Sequence, residues 1–363
     1  IWALAGHKAG AMGTLGLVAP GFPQTDTLTT PDAIALHRML AEVAAAGVTH
    51  LAMEASSHGL DQFRLDGVMV QAAGFTNLTR DHLDYHRTME AYFQAKAMLF
   101  DRVMPRGGTA VINADIPEFE RLADLARARK QTVIGFGGTE AAKDLRVDAL
   151  TPLPHGQSAT LEVMGRRMTV DLPLVGRFQV WNALCALGLA IGTGEDPVGA
   201  AEALAQLEGV RGRLELVARP KDDAAIYVDY AHTPDGLETV LKALRPHTTG
   251  RLSVVFGCGG DRDRGKRPMM GTIAARLADR VIVTDDNPRT EVASAIRAEV
   301  MAGCPDATEV DGRADAIALA VGELGRGDVL VIAGKGHEQG QIVGTEIRPF
   351  DDATVARAAV AAL

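Results

Sequence analysis

Several absences narrow the chemistry of this chain before any motif is read. Its three cysteines, Cys185, Cys258 and Cys304, are far apart and form no CxxC pair, which supports neither a disulfide framework nor a structural zinc site. No apolar run reaches the length of a membrane span, and no basic start with a small-residue cleavage site marks a secretory leader. A cytoplasmic protein with no membrane partner is therefore expected. Positive charge is not in excess, because 37 Lys and Arg face 46 Asp and Glu for a net charge of -9, which argues against general nucleic-acid binding. An initiator methionine is also missing. Ile1 opens a stretch, IWALAGHKAG, that reads as the middle of a helix with no cap before it, so a fragment of a longer protein is expected.

Familiar catalytic signatures are absent or spoiled. There is no GxSxG elbow, and Ser56 and His58, two residues apart, form no triad by themselves. His82 and His86 have the i,i+4 spacing of a zinc helix, but Leu83 stands where the general-base Glu should be. Gly260 to Arg267, GDRDRGKR, nearly matches a phosphate-binding loop after a strand. However, Arg267 replaces the hydroxyl that ligates magnesium, and two Asp residues inside would repel phosphates. That loop is expected to act as an anion clamp, with Arg262 reaching a ligand carboxylate.

What is present has an α/β rhythm. At 363 residues, with 47% apolar and 23% charged side chains, the chain suits two domains. From Thr49 to Phe136 the short β-rich runs HLAME, AAGFTNL, GTAVINA and QTVIGFG alternate with helical stretches at Pro31 to Ala46 and Thr88 to Val103, which predicts parallel strands with crossover helices. Two-residue periodicity from Ser158 to Val175 around Gly165-Arg166 predicts an antiparallel hairpin added to that sheet, followed by a helix over Val180 to Ile191. Glu208 to Arg213, EGVRGR, reads as a hinge. The expected fold class is α/β. A central parallel-sheet, ATPase-like domain with an added antiparallel hairpin spans 1–209, and a Rossmann-like domain spans 210–363.

In the second part, the strands AIYVDY, LSVVFG, VIVTD and VLVIAG each run into a polar, glycine-rich loop: DYAHTPD, GCGGDRDRGKR, DDNPRTE and AGKGHEQ. Structural turns need only one or two such residues, so four such ends describe a ligand-binding edge. In DDNPRTE, Arg289 offers a planar fork for a carboxylate, while Asp286 and Asn287 can receive an ammonium. Together they suit a zwitterionic amino acid, although a turn capped by Asp and Asn accounts for these residues equally well.

In the first part, Glu54 ends the run HLAME. Asp81, His82 and Asp84 could join it around magnesium, and a polar loop with capping Asp residues is the equal alternative. Thr29 and Thr30 can cap the helix beginning near Pro31. Lys96 follows Tyr92 by one turn among Phe93, Ala97 and Phe100. Snorkelling is the ordinary outcome there, but if the lysine is buried its lowered pKa leaves a neutral amine able to form a carbamate.

Taken in order, MEASSHGLDQFRL from Met53, FTNLTRDHLDYH from Phe75, VDYAHTPDGLE from Val228, FGCGGDRDRGKRPMMG from Phe256, TDDNPRTE from Thr284 and AGKGHE from Ala333 resemble the Mur ligases. The resemblance runs from about Met12 to the end and is closest to the branch that adds diaminopimelate. It implies ATP-dependent amide formation by a monomer, with UDP-N-acetylmuramoyl-L-Ala-D-Glu and meso-diaminopimelate as substrates and ATP and Mg2+ as cofactors. It places Thr29, Thr30, Ser56, Gln62 and Arg64 on the UDP-muramoyl dipeptide. Glu54, His82 and a carbamylated Lys96 fall on the catalytic metal, and Asn182, Arg213, Asp229 and His232 on ATP. Arg262, Asp286, Asn287, Pro288, Arg289, Gly334 and Glu338 fall on the incoming amino acid. Two departures are Leu28, where a polar residue is common in the family, and Gln179, where Asn is usual. The family's Gly-Lys-Thr nucleotide loop would lie just before Ile1, so the chain by itself is expected to be inactive. A folylpolyglutamate synthetase-like ligase shares the route but leaves Asp286 to Arg289 unexplained. A non-catalytic binding module is the alternative of another class.

Overall fold

The computed structural model describes residues 1–22, 28–220 and 223–363. The chain divides into two compact units. The first comprises Ile1–Leu150, Ser158–Leu172 and Phe178–Leu207, and the second Thr151–Gln157, Pro173–Arg177 and Glu208–Leu363.

The first unit opens differently from expectation. Instead of a helix, residues 1–7 make one hydrogen-bonded turn, with Ala5 N donating to Ile1 O and His7 N to Trp2 O, each at 3.0 Å. Gly6, at φ +90°, ends the turn in a conformation open to glycine. The next residues become β1 (Ala9–Gly13), which pairs antiparallel with β2 (Gly16–Val18) and parallel with β3 (His50–Met53). The Ala-rich stretch has the local propensity of a helix, but pairing to β3 overrides it. The HLAME run also departs from the predicted main sheet, since β3 belongs to this separate three-stranded sheet.

The larger sheet has the order β4 (Ala72–Phe75), β5 (Thr109–Asn113), β6 (Thr132–Gly137), β7 (Leu145–Leu153), β8 (Gly156–Val163), β9 (Arg166–Leu172). The strands from β4 to β7 are parallel. Met164 at φ +48° and Gly165 at φ +82° form the two-residue turn that folds β9 back, as the alternation predicted. Every residue of β5 is buried, and its alternate side chains enter opposite cores. Val111 packs with Leu184 and Leu187 of the Arg177–Gly192 helix, and Ile112 packs with Leu122 and Ala126 of the Phe119–Ala128 helix. The predicted helix over Thr88 to Val103 is present as an α-helix, Met89–Met98, that widens into a π-turn over Leu99–Val103.

The second unit has a six-stranded sheet with the order β10 (Glu215–Ala218), β11 (Ala225–Asp229), β15 (Val329–Ala333), β12 (Leu252–Phe256), β13 (Arg280–Val283), β14 (Thr308–Glu309), and a separate hairpin of β16 (Gly340–Val343) and β17 (Glu346–Pro349). Only β10 runs against the rest. The register aligns Asp229 with Ala333, Ala333 with Phe256, and Phe256 with Val283. The four polar loops therefore leave four adjacent strands along one rim, the C-terminal edge where open α/β sheets bind ligands.

Candidate active site

On the first unit, backbone turns and hydroxyls gather the candidate residues. Thr30, 1% exposed, is a staple: its Oγ1 donates to Glu54 O at 3.1 Å and accepts from Ser56 N at 3.0 Å. Capping of the Ala33–Ala45 helix falls instead to Asp32, whose Oδ1 accepts from Ile34 N and Ala35 N. A carboxylate beside those first N–H groups also suits the helix dipole. Ser56 caps the next helix through Gly59 N at 3.0 Å, and Arg64 Nη1 donates to Thr30 O at 2.8 Å while its Nε donates to Gln62 Oε1 at 3.0 Å. Thr29, Thr30, Ser56, Gln62 and Arg64 are thus tied into neighbouring turns at the end of β3. The exposed Glu54 carboxylate accepts from Thr14 N at 3.3 Å and Thr14 Oγ1 at 3.0 Å, and Thr14 Oγ1 lies 3.2 Å from Thr29 Oγ1.

His82 and Lys96 share a different neighbourhood, built on Tyr92. His82 is exposed and sits at φ +52°, with its ring edge toward Tyr92. Lys96 Nζ lies 5.1 Å from the Tyr92 ring centre and 5.9 Å from that of Phe75. Burial depresses the Lys96 pKa, partly offset by the negative charge of Asp81. Snorkelling does not describe this amine. His86 separates from His82 in role: it is buried, with Nε2 2.9 Å from Ser57 Oγ, which removes the zinc-helix reading on structural grounds. The hydrogen bonds of Glu54 run to Thr14 rather than to His82 or Lys96.

On the second unit, the DDNPRTE loop is fixed from several sides. Asp286 and Asn287 are buried, and Asp286 Oδ1 accepts from Asn287 N at 2.7 Å. Arg289, at φ +51°, donates its N–H to Ile342 O at 3.1 Å and Nη1 to Gly260 O at 2.8 Å. Pro288 holds the turn between them, and its carbonyl would lie 1.9 Å from a Cβ on Gly260, so only glycine permits this closure. Among the described residues Arg289 makes no ion pair, leaving its fork for a ligand carboxylate. Arg262 is exposed and donates to Asp261 O at 3.1 Å.

Asn287 departs from the expectation that it receives an ammonium. Its Oδ1 already accepts from Lys335 Nζ and Ile342 N, each at 3.0 Å, and its Nδ2 donates to Glu338 Oε2 at 2.9 Å, so the amide can offer a ligand only its second Nδ2 hydrogen. Among the residues predicted to meet the amino acid, Asp286 and Glu338 supply the carboxylates. Lys335 was missed in the sequence, although it stands between the two glycines of AGKGHE; it is wholly buried and donates to Glu338 Oε2 at 2.9 Å. Burial opposes ionisation of Glu338, but Lys335 and Asn287 outweigh it and hold the carboxyl below its ordinary pKa. Gly334, at φ +114°, passes so close that a Cβ would meet Asp286 Oδ2 at 2.8 Å.

Arg267 explains the spoiled phosphate loop. Its fully buried guanidinium spans Glu291 and Glu299 and donates to Gly259 O, so the residue that replaces the expected hydroxyl anchors the loop. Along the same rim, Asp229 accepts from Leu214 N at 2.7 Å and Ala231 N at 2.8 Å; burial raises its pKa despite these amides. Arg213 lies over Tyr230, and His232 Nδ1 is 2.8 Å from Tyr230 O. Asn182, in the first unit, is exposed on its helix and donates to Gln179 Oε1 at 3.1 Å.

A rim with a buried carboxylate and, among the described residues, a guanidinium without an ion-pair partner and no nucleophile–base pair suits a ligase that joins an amino acid to an activated acid. The comparisons agree: residues 1–190 match the Mur ligase middle domain and residues 212–336 the Mur ligase glutamate ligase domain. The chain belongs to the Mur ligase family. It is 53% identical over 363 residues to the UDP-N-acetylmuramoyl-L-alanyl-D-glutamate--2,6-diaminopimelate ligase of Agrobacterium fabrum, covering all of this chain and 74% of the relative. It is 54% identical over 353 residues to the enzyme of that name from Caulobacter vibrioides, covering 96% and 72%. A solved structure of a ligase with that name superposes with TM-score 0.76 at 37% identity, over 99% of this chain and 74% of the other. A folylpolyglutamate synthase of Mycobacterium tuberculosis, solved with ADP and AMPPCP, shares the fold with TM-score 0.69 at 18% identity, over 98% and 85% of the two chains.

Proposed function

We propose that this chain carries the ligase chemistry that joins meso-diaminopimelate to the D-Glu γ-carboxylate of UDP-N-acetylmuramoyl-L-Ala-D-Glu at the expense of ATP. The γ-phosphoryl group passes to a carboxylate oxygen, giving an acyl phosphate and ADP. The diaminopimelate amine, having lost its proton, attacks the acyl carbon; the tetrahedral intermediate then expels phosphate and leaves the amide. No protein nucleophile is required, so the protein contributes position and charge.

The first unit serves the acid substrate. Thr29, Thr30, Ser56, Gln62 and Arg64 bind the UDP-muramoyl dipeptide from the turns that Thr30 staples together. Glu54, His82 and Lys96 are the proposed holders of Mg2+. Their fit rests on the exposed Glu54 carboxylate and on the depressed Lys96 pKa, since a neutral amine can add to carbon dioxide and become an oxygen donor. When bound, the ion would neutralise phosphoryl charge. Asn182 here, and Arg213, Asp229 and His232 in the second unit, are each proposed as ATP contacts.

The second unit selects the amino acid. Asp286 and Glu338 take the ammonium, Gly334 admits it closely, Asn287 donates through Nδ2, and Arg289 takes the distal carboxylate, with Arg262 as a further cation. The observation that carries the reading is Arg289, whose backbone N–H is held by Ile342 O and whose guanidinium donates through Nη1 to Gly260 O but has no carboxylate partner among the described residues. A folylpolyglutamate-type ligase offers no reason for that arrangement. The test is ATP-dependent product formation by the natural full-length protein, with meso-diaminopimelate and lysine in competition. Preferential use of diaminopimelate supports the reading, and equal or preferred use of lysine overturns it.

A further inference from the structure

We propose that His7, His50 and Glu195, all in the first unit, form a binding site for a divalent transition metal of the zinc class. One ligand atom from each residue lies within 4.8 Å of the other two, and all three side chains are half-buried. His7 Nε2 is 2.8 Å from Glu195 Oε1, and the His7 and His50 ring centres are 4.1 Å apart. The residues come from three separate segments: the N-terminal turn, the first position of β3, and the turn after the Arg177–Gly192 helix.

A second observation is the way His50 is held. Thr49 Oγ1 lies 2.9 Å from His50 Nδ1 and donates to Lys8 O at 3.4 Å. When the hydroxyl gives its proton to that carbonyl it accepts from the imidazole, and the tautomer with Nδ1 protonated keeps the Nε2 lone pair for a metal. Ligating histidines are ordinarily oriented by such a partner on the other nitrogen. Trp2 braces the group as well. Its ring centre is 5.1 Å from that of His50, and its Nε1 donates to Thr193 Oγ1 at 3.1 Å, two residues before Glu195. The nearby Lys8 ammonium is turned onto Ala46 O at 2.5 Å and so does not occupy the cluster.

Two imidazoles and one carboxylate suit Zn2+, Co2+ or Ni2+, with water completing a tetrahedron, whereas Mg2+ and Ca2+ call for oxygen ligands. The cluster is also distinct from the proposed Mg2+ residues. His50 begins β3 opposite Ala9, while Glu54 follows its far end, roughly 13 Å away at about 3.3 Å per residue. Because the ligands are distant in sequence, an ion there closes long loops and stabilises the first unit by mass action.

The test is equilibrium dialysis of the untagged full-length protein with Zn2+, paired with Trp fluorescence during Co2+ addition and with melting curves. Expected are one Zn2+ per chain at micromolar free metal and a rise in Tm. His7→Gln, His50→Gln and Glu195→Gln should each lower affinity by at least about tenfold, and Thr49→Val by about tenfold. Quenching by Co2+ should disappear in Trp2→Phe. Metal-free melting curves of His7→Gln, on a surface turn, establish that lost binding is not lost folding. Zinc affinity unchanged in both His50→Gln and Glu195→Gln, absence of zinc at micromolar free metal, or zinc lost only in His82→Gln would each overturn the proposal.

Discussion

Lys335 Nζ lies 3.0 Å from the Asn287 side-chain oxygen and 2.9 Å from Glu338 Oε2, inside the same rim that presents Arg289. One buried ammonium thus sets which end of the Asn287 amide faces a ligand and keeps Glu338 ionised. Removing it takes one of two donors from the Asn287 oxygen, which keeps Ile342 N, and the ion-pair cation from Glu338, which keeps Asn287 Nδ2. Lys335→Met is expected to lower stability by about 2 kcal/mol, the low end for a broken charge pair because Glu338 is partly exposed, and to raise KM for the amino acid more than it lowers kcat. Urea unfolding and steady-state kinetics measure the two effects, and an unchanged KM would refute the positioning role.

Arg289 is expected to separate two amino acids rather than to support folding. Lysine lacks the distal carboxylate, so the wild-type preference for diaminopimelate reflects about 2 to 5 kcal/mol for an unpaired, desolvated charge. In Arg289→Ala the ratio of kcat/KM for the two amino acids should fall by at least tenfold. A ratio that stays constant would remove Arg289 from specificity.

Lys96 carries a pH signature. Its folded pKa is depressed by burial, so the unfolded chain binds the proton more readily, and stability declines as pH falls from the unfolded value towards the folded one. Lys96→Met should therefore be more stable than wild type at neutral pH, with the difference vanishing at strongly alkaline pH, while activity is lost. The wild type should also show a 13C carbamate resonance in labelled bicarbonate that Lys96→Met lacks. Equal stability at neutral pH would contradict the burial argument.

Gly334 cannot take a side chain quietly. With φ at +114° and Asp286 Oδ2 only 2.8 Å from the site of a Cβ, Gly334→Ala should cost about 1–3 kcal/mol and weaken amino-acid binding together. Thermal unfolding and a binding titration test both parts, and a variant with wild-type Tm would show that the loop moves aside easily.

Glu291 should keep the anion clamp intact far into acid. Arg267, followed by Asp261 N–H, lowers its pKa to about 2, so the stabilisation is full above the ordinary carboxylate range and is lost progressively as pH falls from there through about 2. In Arg267→Met that acid resistance should disappear, with Trp- and Tyr-independent probes such as amide exchange at Asp261 and Thr290 reporting the opening. Unchanged exchange at pH 3 would overturn the anchoring role.

The sequence alone determined the α/β alternation, an antiparallel hairpin turning near Gly165 (one residue earlier than its Gly165-Arg166 placement), and the polar character of four strand ends, because periodicity and turn chemistry are local properties. Its motifs also singled out Arg289 and Glu338 as candidates. Tertiary structure decided what depends on neighbours distant in the chain. The strand order set those four loops side by side, and pairing with β3 made a strand of an Ala-rich segment that locally resembles a helix. Lys335 and Arg267 are ordinary cations on paper, and only burial beside Asn287, Glu338, Glu291 and Glu299 gives them their roles. The physical reason is common to all of these: a side chain's charge partners and solvation are set by what the fold brings against it, and no spacing along the chain encodes that directly.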